Sequence, residues 1–289
     1  MAISYAHRVG QIIGYALEAS LDPLLREVAR EHNLYLDVAH PRAARDGRKL
    51  IRWFDSSGSG HNLDFVLEHE GSEEKAGAPK AFIESAWRRY TKHSMNKAGE
   101  IANALVPLRS TYSQYRPFLG AVVAGEWTSG GLDNMRNQGI EVIYVPRQDI
   151  IDAFAQVGVD VDFDEDTAES YLASQVEKWQ ALGADGQRQT AEAMVAQKAE
   201  NYLKFRQALE SHLTRKVERV VILHLHGATH SYATTAEAIH ALSADDFGNH
   251  SQSMEFVRIE ITIKHSNGDR IEGHFLKTSD AILWLEKQF

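Results

Sequence analysis

Residues 118 to 124, Phe-Leu-Gly-Ala-Val-Val-Ala, are apolar throughout and too few to make a packed helix. A strand with one face in water alternates polar and apolar positions. One with no polar position is covered on both faces, which places it inside a sheet with layers above and below it. The neighbouring segments supply those layers. Val9, Ile12, Ile13, Ala16 and Leu17 recur at helical spacing. A second helix is predicted after Ser20-Leu21-Asp22-Pro23, with Asp22 as cap, Pro23 at the first helical position and Leu24, Leu25 and Val28 on its apolar face. Strands are predicted at 49–54, 63–68 and 80–88, with Ser56 to His61 as a turn. A helix from Ser94 to about Leu105 follows, then the apolar strand, a short helix from Leu132 ending at Gly139, a strand at 140–145 and a helix at 147–157. That order predicts a mixed α/β sheet flanked by helices, with parallel crossovers on one side.

The later chain reads differently. All six prolines lie between Pro23 and Pro146, and residues 148–170 hold eight acids and no Lys or Arg, as a solvated connector would. Residues 166–217 are predicted helical, broken near Gly183 to Gly186. Trp179, Tyr202 and Phe205 are core residues at helical spacing. Strands return at 220–224 and 255–265, Asn267-Gly268 makes a hairpin turn before 270–276, and Ser279-Asp280 caps a last helix. No internal repeat is evident. The expectation is two regions, 1–160 and 161–289, the second a helical segment followed by an α+β part. There is no cysteine, so disulfides, thiolate metal sites and cysteine nucleophiles are excluded, and a reducing cytoplasm is the expected compartment. No apolar run has the length of a membrane span, so no membrane partner is expected.

Chemistry is concentrated around two acids. Asp64 lies within an otherwise apolar strand, and Glu84 follows Ala81-Phe82-Ile83 in the next one. A carboxylate at such a position costs free energy unless it is paired or binds a cation. Two of them on neighbouring strands can share a hard divalent ion, normally Mg2+. The segment Trp87-Arg88-Arg89-Tyr90-Thr91-Lys92-His93-Ser94-Met95-Asn96-Lys97 follows directly and is dense in groups that seek phosphate.

Asp64 and Glu84-Ser85-Ala86, twenty residues apart and followed by a helix and further strands, resemble the PD-(D/E)xK nuclease superfamily in the style of type II restriction endonucleases, over about residues 5 to 157. The resemblance implies a metal-dependent endonuclease acting on double-stranded DNA. Asp64 and Glu84 would hold the metal, and Arg88, Arg89, Lys92, His93 and Asn96 would contact DNA. The second region would read sequence and mediate homodimerisation. Leu63 stands where the family's proline would be. Ala86 occupies the position of its catalytic lysine, and three explanations are open: an engineered lysine-to-alanine change, a lysine that has migrated, or a fold that kept DNA binding and lost catalysis. Lys97 is the preferred migrated base over Arg88, because an amine can accept a proton where a guanidinium cannot. Glu100, three residues on, is either a further metal ligand or an ion-pair partner of Lys97. A repair or RNA nuclease is a third functional class.

Other features carry less. His224, His226 and His230 have metal-ligand spacing without a completing acid or cysteine nearby, and read better as histidines on a strand that meets a partner or DNA. Gly10 and Gly14 suggest close helix packing, Glu18 is a further acid that can approach the metal, and Gly125 to Gly131 can border the cleft. The net charge of −9 argues mildly against a nucleic-acid partner in bulk, but residues 80–116 hold seven Lys and Arg against two acids. The positive charge sits beside the two carboxylates.

Overall fold

The computed structural model describes residues 4–224, 229–244 and 257–288; the side chains of His93 and His224 lie outside that description. The chain forms two compact units, residues 1–111 with 118–210, and residues 112–117 with 211–289.

The first unit opens with α1, Tyr5–Glu31, a single helix of 27 residues with Pro23 inside it. The expected break after Ser20 does not occur. Ser20, Leu21, Leu25, Val28 and Ala29 on either side of the proline are all buried, so packing outweighs the lost backbone hydrogen bond. Asp22 does not cap a second helix but accepts from Arg26 Nε at 2.6 Å. Then come β1 (Leu34–Asp37), β2 (Ile51–Phe54), β3 (Gly60–Leu63), β4 (Phe65–His69), β5 (Ala78–Arg88), α2 (Ser94–Thr111), β6 (Phe118–Gly125), α3 (Ser129–Asn137), β7 (Glu141–Pro146) and α4 (Arg147–Ala155). Helices α5 (Glu169–Ala181), α6 (Gly183–Gln197) and α7 (Ala199–Leu213) complete the helical run.

The main sheet has the order β1-β4-β5-β6-β7. β1, β4 and β5 pair antiparallel, and β5, β6 and β7 parallel. It is a mixed sheet flanked by helices, and every residue of β6 is buried, as a strand without a polar position requires. Two elements differ from the sequence reading. β1 was not expected. The strand expected at 63–68 is broken at Asp64, where β3 leaves the two-stranded β2–β3 ribbon and β4 enters the main sheet. Ser56 to Gly60 is the turn of that ribbon, with Asp55 Oδ1 accepting from the backbone N–H of Ser57 and Ser59 at 2.9 and 3.0 Å.

The region boundary expected at 160/161 falls inside this unit, because α5 and α6 pack on α1. Trp179 lies 5.0 Å from Phe154 between ring centroids, Phe205 meets Phe118 edge-on at 5.5 Å, and the Tyr202 hydroxyl shares a hydrogen bond with Ser20 at 2.6 Å. All three are core residues.

The second unit holds β8 (Val217–His224), β9 (Thr229–Tyr232), α8 (Thr235–Ser243), β10 (Ile259–His265), β11 (Arg270–Phe275) and α9 (Thr278–Glu286). The sheet order is β11-β10-β8-β9, antiparallel throughout. Two ββα arms therefore meet at the central β8–β10 pair. The sequence reading had found no repeat, yet Thr235, Ala238, Ile239 and Leu242 in α8 match Thr278, Ala281, Ile282 and Leu285 in α9, one for one. Those helices cover one sheet face, where Val220, Ile222, Ile259, Ile261 and Ile263 form a core with Ala238, Leu242, Ala281 and Leu285. Gly268 takes the left-handed conformation the hairpin needs, at φ +88°. The last helix is preceded by Lys277, without a side-chain cap. Segment 112–117 belongs here through Arg116, whose Nε lies 3.1 Å from Asp269 Oδ1, and through the Tyr115 carbonyl, which accepts from Arg215 at 2.8 Å. Among the described residues no helix is long and apolar enough to cross a membrane.

Candidate active site

A buried ion network fixes the antiparallel side of the first sheet. Arg42 is 1% exposed, and its guanidinium makes a two-pronged contact with Glu68 of β4 at 2.8 and 2.9 Å and lies 2.8 Å from Asp37 of β1. It also donates to the carbonyls of Ser72 and Lys75 at 2.6 and 2.9 Å. Arg45 adds a second cation on Asp37, and Gly77 N–H donates to Glu68 at 2.7 Å. Every charge there has an opposite charge and hydrogen bonds, so Glu68 is a structural acid.

Asp64 and Glu84 are held differently. Asp64 sits at the bend between β3 and β4, and its Oδ2 accepts from the Ser85 backbone N–H at 2.6 Å and from Ser85 Oγ at 2.8 Å. Ser85 therefore ties the first acid to the strand that carries the second. Glu84, inside β5, has a buried Oε1 with no hydrogen-bond partner. Burial pushes its carboxyl well above the ordinary range, and the negative charges of Asp64 and Glu18 push it further, while Lys97 pulls it down. Glu18, on α1, is pushed up to about 7 by burial and then by Asp64. Three carboxylates and one lysine from four parts of the chain therefore act on one another, with less positive charge than the acids would need when ionised. This differs from the Arg42 network, where cations balance the acids.

The remaining expected residues take distinct places. Ala86 is buried on β5, level with Val123 of β6. Lys97 Nζ lies 3.1 Å from Glu100 Oε2, and Arg88 Nη2 is 3.9 Å from the same oxygen. Glu100 is 61% exposed, so it stands at the outer end of Lys97 as an ion-pair partner. Arg89 has its guanidinium 4.1 Å from the Phe163 ring centroid and 4.8 Å from that of Tyr90, with Nε and Nη2 buried and without an acceptor. It is stacked into the fold, whereas Lys92 and Asn96 are exposed, Lys92 lying 5.5 Å over the Tyr90 ring. His93 stands in a short 3-10 turn, Thr91–His93, ahead of α2.

Backbone detail supports this layout. Gly10 of α1 packs against the Trp87 indole, where an added Cβ would lie 3.6 Å from Nε1; at Gly14 it would meet open space. One of the two glycines thus brings α1 close to β5. Gly125 ends β6 at φ +95°, and a Cβ there would collide with the Arg88 carbonyl and the Trp87 ring. That turn lets Glu126 N–H donate to the Arg88 carbonyl at 2.8 Å. Trp127 then inserts, donating to the Ala124 carbonyl at 2.9 Å, and Thr128 caps α3 through Gly131 N–H at 3.1 Å. Of the histidines, His226 lies outside the described residues, and His230 stands in β9 opposite Ile222. A separate group, Glu31, His32 and Glu210, has ligand atoms within 4.8 Å of one another, but Arg206 already pairs with Glu31 and Glu210 at 2.8 Å each.

No protein-family model, curated protein or solved structure matches the chain.

The site is therefore read from its own chemistry. Sequence reasoning reached Asp64, Glu84 and Lys97 and named Glu18 as an acid able to approach them. It missed Ser85, whose hydroxyl has no signal in a strand pattern, and Arg42, whose buried role depends on a contact 26 residues away.

Proposed function

We propose that the protein is a metal-dependent endonuclease of the restriction-enzyme-like class, cleaving phosphodiesters of double-stranded DNA in the cytoplasm. The observation that carries the reading is the unpartnered, buried Oε1 of Glu84 beside Asp64 and Glu18, with Lys97 acting on the same group. Three oxygen donors with a deficit of positive charge fit a hard divalent ion such as Mg2+. Asp64, Glu84 and Glu18 would hold it. When bound, such an ion supplies an acidified water and counter-charge for the phosphoryl oxygens.

The chain's own residues supply the rest. Ser85 fixes the Asp64 carboxylate, leaving Oδ1 for other partners. Lys97, held as an ammonium by Glu100, would orient the attacking water and offset charge on the phosphoryl oxygens. Arg88, Lys92 and Asn96 would contact the phosphate backbone. A palindromic target would call for a homodimer.

A second reading, a catalytically silent DNA-binding protein, is favoured by the 3.1 Å contact between Lys97 and Glu100 together with the alanine at position 86. Incubating the protein, Lys97→Ala, Ala86→Lys and Asp64→Ala with plasmid DNA and Mg2+ separates the two. Cleavage abolished by Lys97→Ala and by Asp64→Ala is the expected result. Cleavage only with Ala86→Lys indicates a lost lysine. DNA binding without cleavage by any version overturns the enzyme reading.

A further inference from the structure

The face of the β8–β11 sheet that α8 and α9 leave open carries a charge arrangement, among the described residues, that neither the core nor the nuclease site explains. Alternation places Val220, Ile222, Ile259, Ile261, Ile263 and Ile271 on the helix-covered face, so the residues between them point the other way. In register, Arg270 of β11 lies opposite Lys264 of β10, and Lys264 lies opposite Arg219 of β8. Three cations thus form one row across three adjacent strands, all exposed. Like charges directly opposite each other are destabilising in a sheet. Their compensation is slight: Lys264 Nζ is 3.8 Å from Glu218 Oε2, and Arg219 and Arg270 have no acidic partner among the described residues. The next row presents Ser231, Val221, Thr262 and Glu272, and Glu260 beyond it is engaged by Arg258 at 2.8 Å.

We infer that this face binds the phosphate backbone of double-stranded DNA, through Arg219, Lys264 and Arg270. Two guanidinium groups without described carboxylate partners, and an ammonium with one partner at 3.8 Å, fit phosphate oxygens, and the hydroxyls of Thr262 and Ser231 are neutral donors beside them. The face holds only Val221 and Leu223 as apolar residues among those described, too few for the dry centre of a protein interface. Single-stranded nucleic acid is disfavoured by the same alternation. Tyr232, Phe275 and Trp284 pack on the helix-covered side, leaving no described Phe, Tyr or Trp on which bases could stack. The choice of DNA over another duplex rests on the nuclease reading, whereas the phosphate-binding row stands on its own geometry.

The test uses the full chain and a neutral triple variant, Arg219→Gln, Lys264→Gln and Arg270→Gln. Removing the repulsion leaves thermal stability equal or higher, which separates a binding defect from misfolding. Duplex DNA binding without divalent metal is measured by fluorescence anisotropy over a salt series. Losing three phosphate contacts lowers the slope of log K against log salt by roughly 2.7 and weakens binding at 0.1 M salt by about two to three orders of magnitude. An unchanged slope, or a wild-type chain that does not bind duplex DNA, overturns the proposal. Tighter binding of duplex RNA, lost in the same variant, replaces DNA with RNA as the occupant and overturns it as stated. Plasmid cleavage by both proteins with identical salt slopes sinks the sheet surface and leaves the nuclease reading intact. Loss of binding in the variant, with no cleavage by either protein, does the reverse.

Discussion

Replacing Glu84 by glutamine is expected to stabilise the metal-free protein while abolishing cleavage. The Glu84 Oε1 is buried without a partner, and two further carboxylates raise the cost of ionising it. An unsatisfied buried polar group costs about 1–3 kcal/mol, more when charged. An acid whose pKa is raised in the folded state stabilises it fully below the unfolded value and loses that contribution as pH rises through the folded value. At pH 8 without metal, Glu84→Gln should therefore gain roughly 1–3 kcal/mol. For a unit of this size that raises Tm by about 2–4 °C per kcal/mol. At pH 5 the gain should shrink, because the wild-type group already carries its proton. Divalent ions reverse the order: at a concentration of 100 Kd, binding stabilises the wild type by about 2.7 kcal/mol, and most of that shift should vanish in the variant. Thermal melts at pH 5 and pH 8, with EDTA or with Mg2+, read all four states. A variant less stable than wild type at pH 8 in EDTA, or one stabilised equally by Mg2+, would refute the reasoning.

Further outcomes follow from the same geometry. Ser85→Ala removes the hydroxyl that holds Asp64 Oδ2, and should lower the cleavage rate about tenfold with DNA affinity unchanged, as single-turnover kinetics would show. Glu68→Gln breaks the buried Arg42 network and should cost about 3–5 kcal/mol in urea denaturation; a loss under 1 kcal/mol would contradict the packing described. Glu18→Gln should flatten the stability-versus-pH curve between about pH 5 and 7, where the wild type loses stability as the group ionises. Solvent screening holds that difference to roughly 1–2 kcal/mol.

What could be read from the sequence depended on whether a residue's setting is decided locally. The apolar run at 118–124 could only be a covered strand, and it became one. Asp64 and Glu84 stand out because each is a charge inside an apolar strand, and Lys97 only through the alanine at position 86. Pro23 misled because its local effect on a helix was outweighed by buried residues on both sides of it, a balance only tertiary packing reveals. Glu68 and Arg42 give little local sign of their bond. The ββα repeat escaped because its arms agree at the helix positions facing the core, while surface residues and hairpin lengths differ.

Six residues, 112–117, leave the first unit between α2 and β6 and belong to the second. On a ribosome they emerge about a hundred residues before Arg215 and about a hundred and fifty before Asp269, the groups that Tyr115 and Arg116 later engage. Either they wait in water while β6 takes its place beside β5, or β6 itself is delayed. A tail cut at residue 211 to isolate the smaller unit would leave Asp269 without Arg116 and Arg215 without the Tyr115 carbonyl. Domain truncations of this chain should therefore be built as circular permutants that keep those six residues attached.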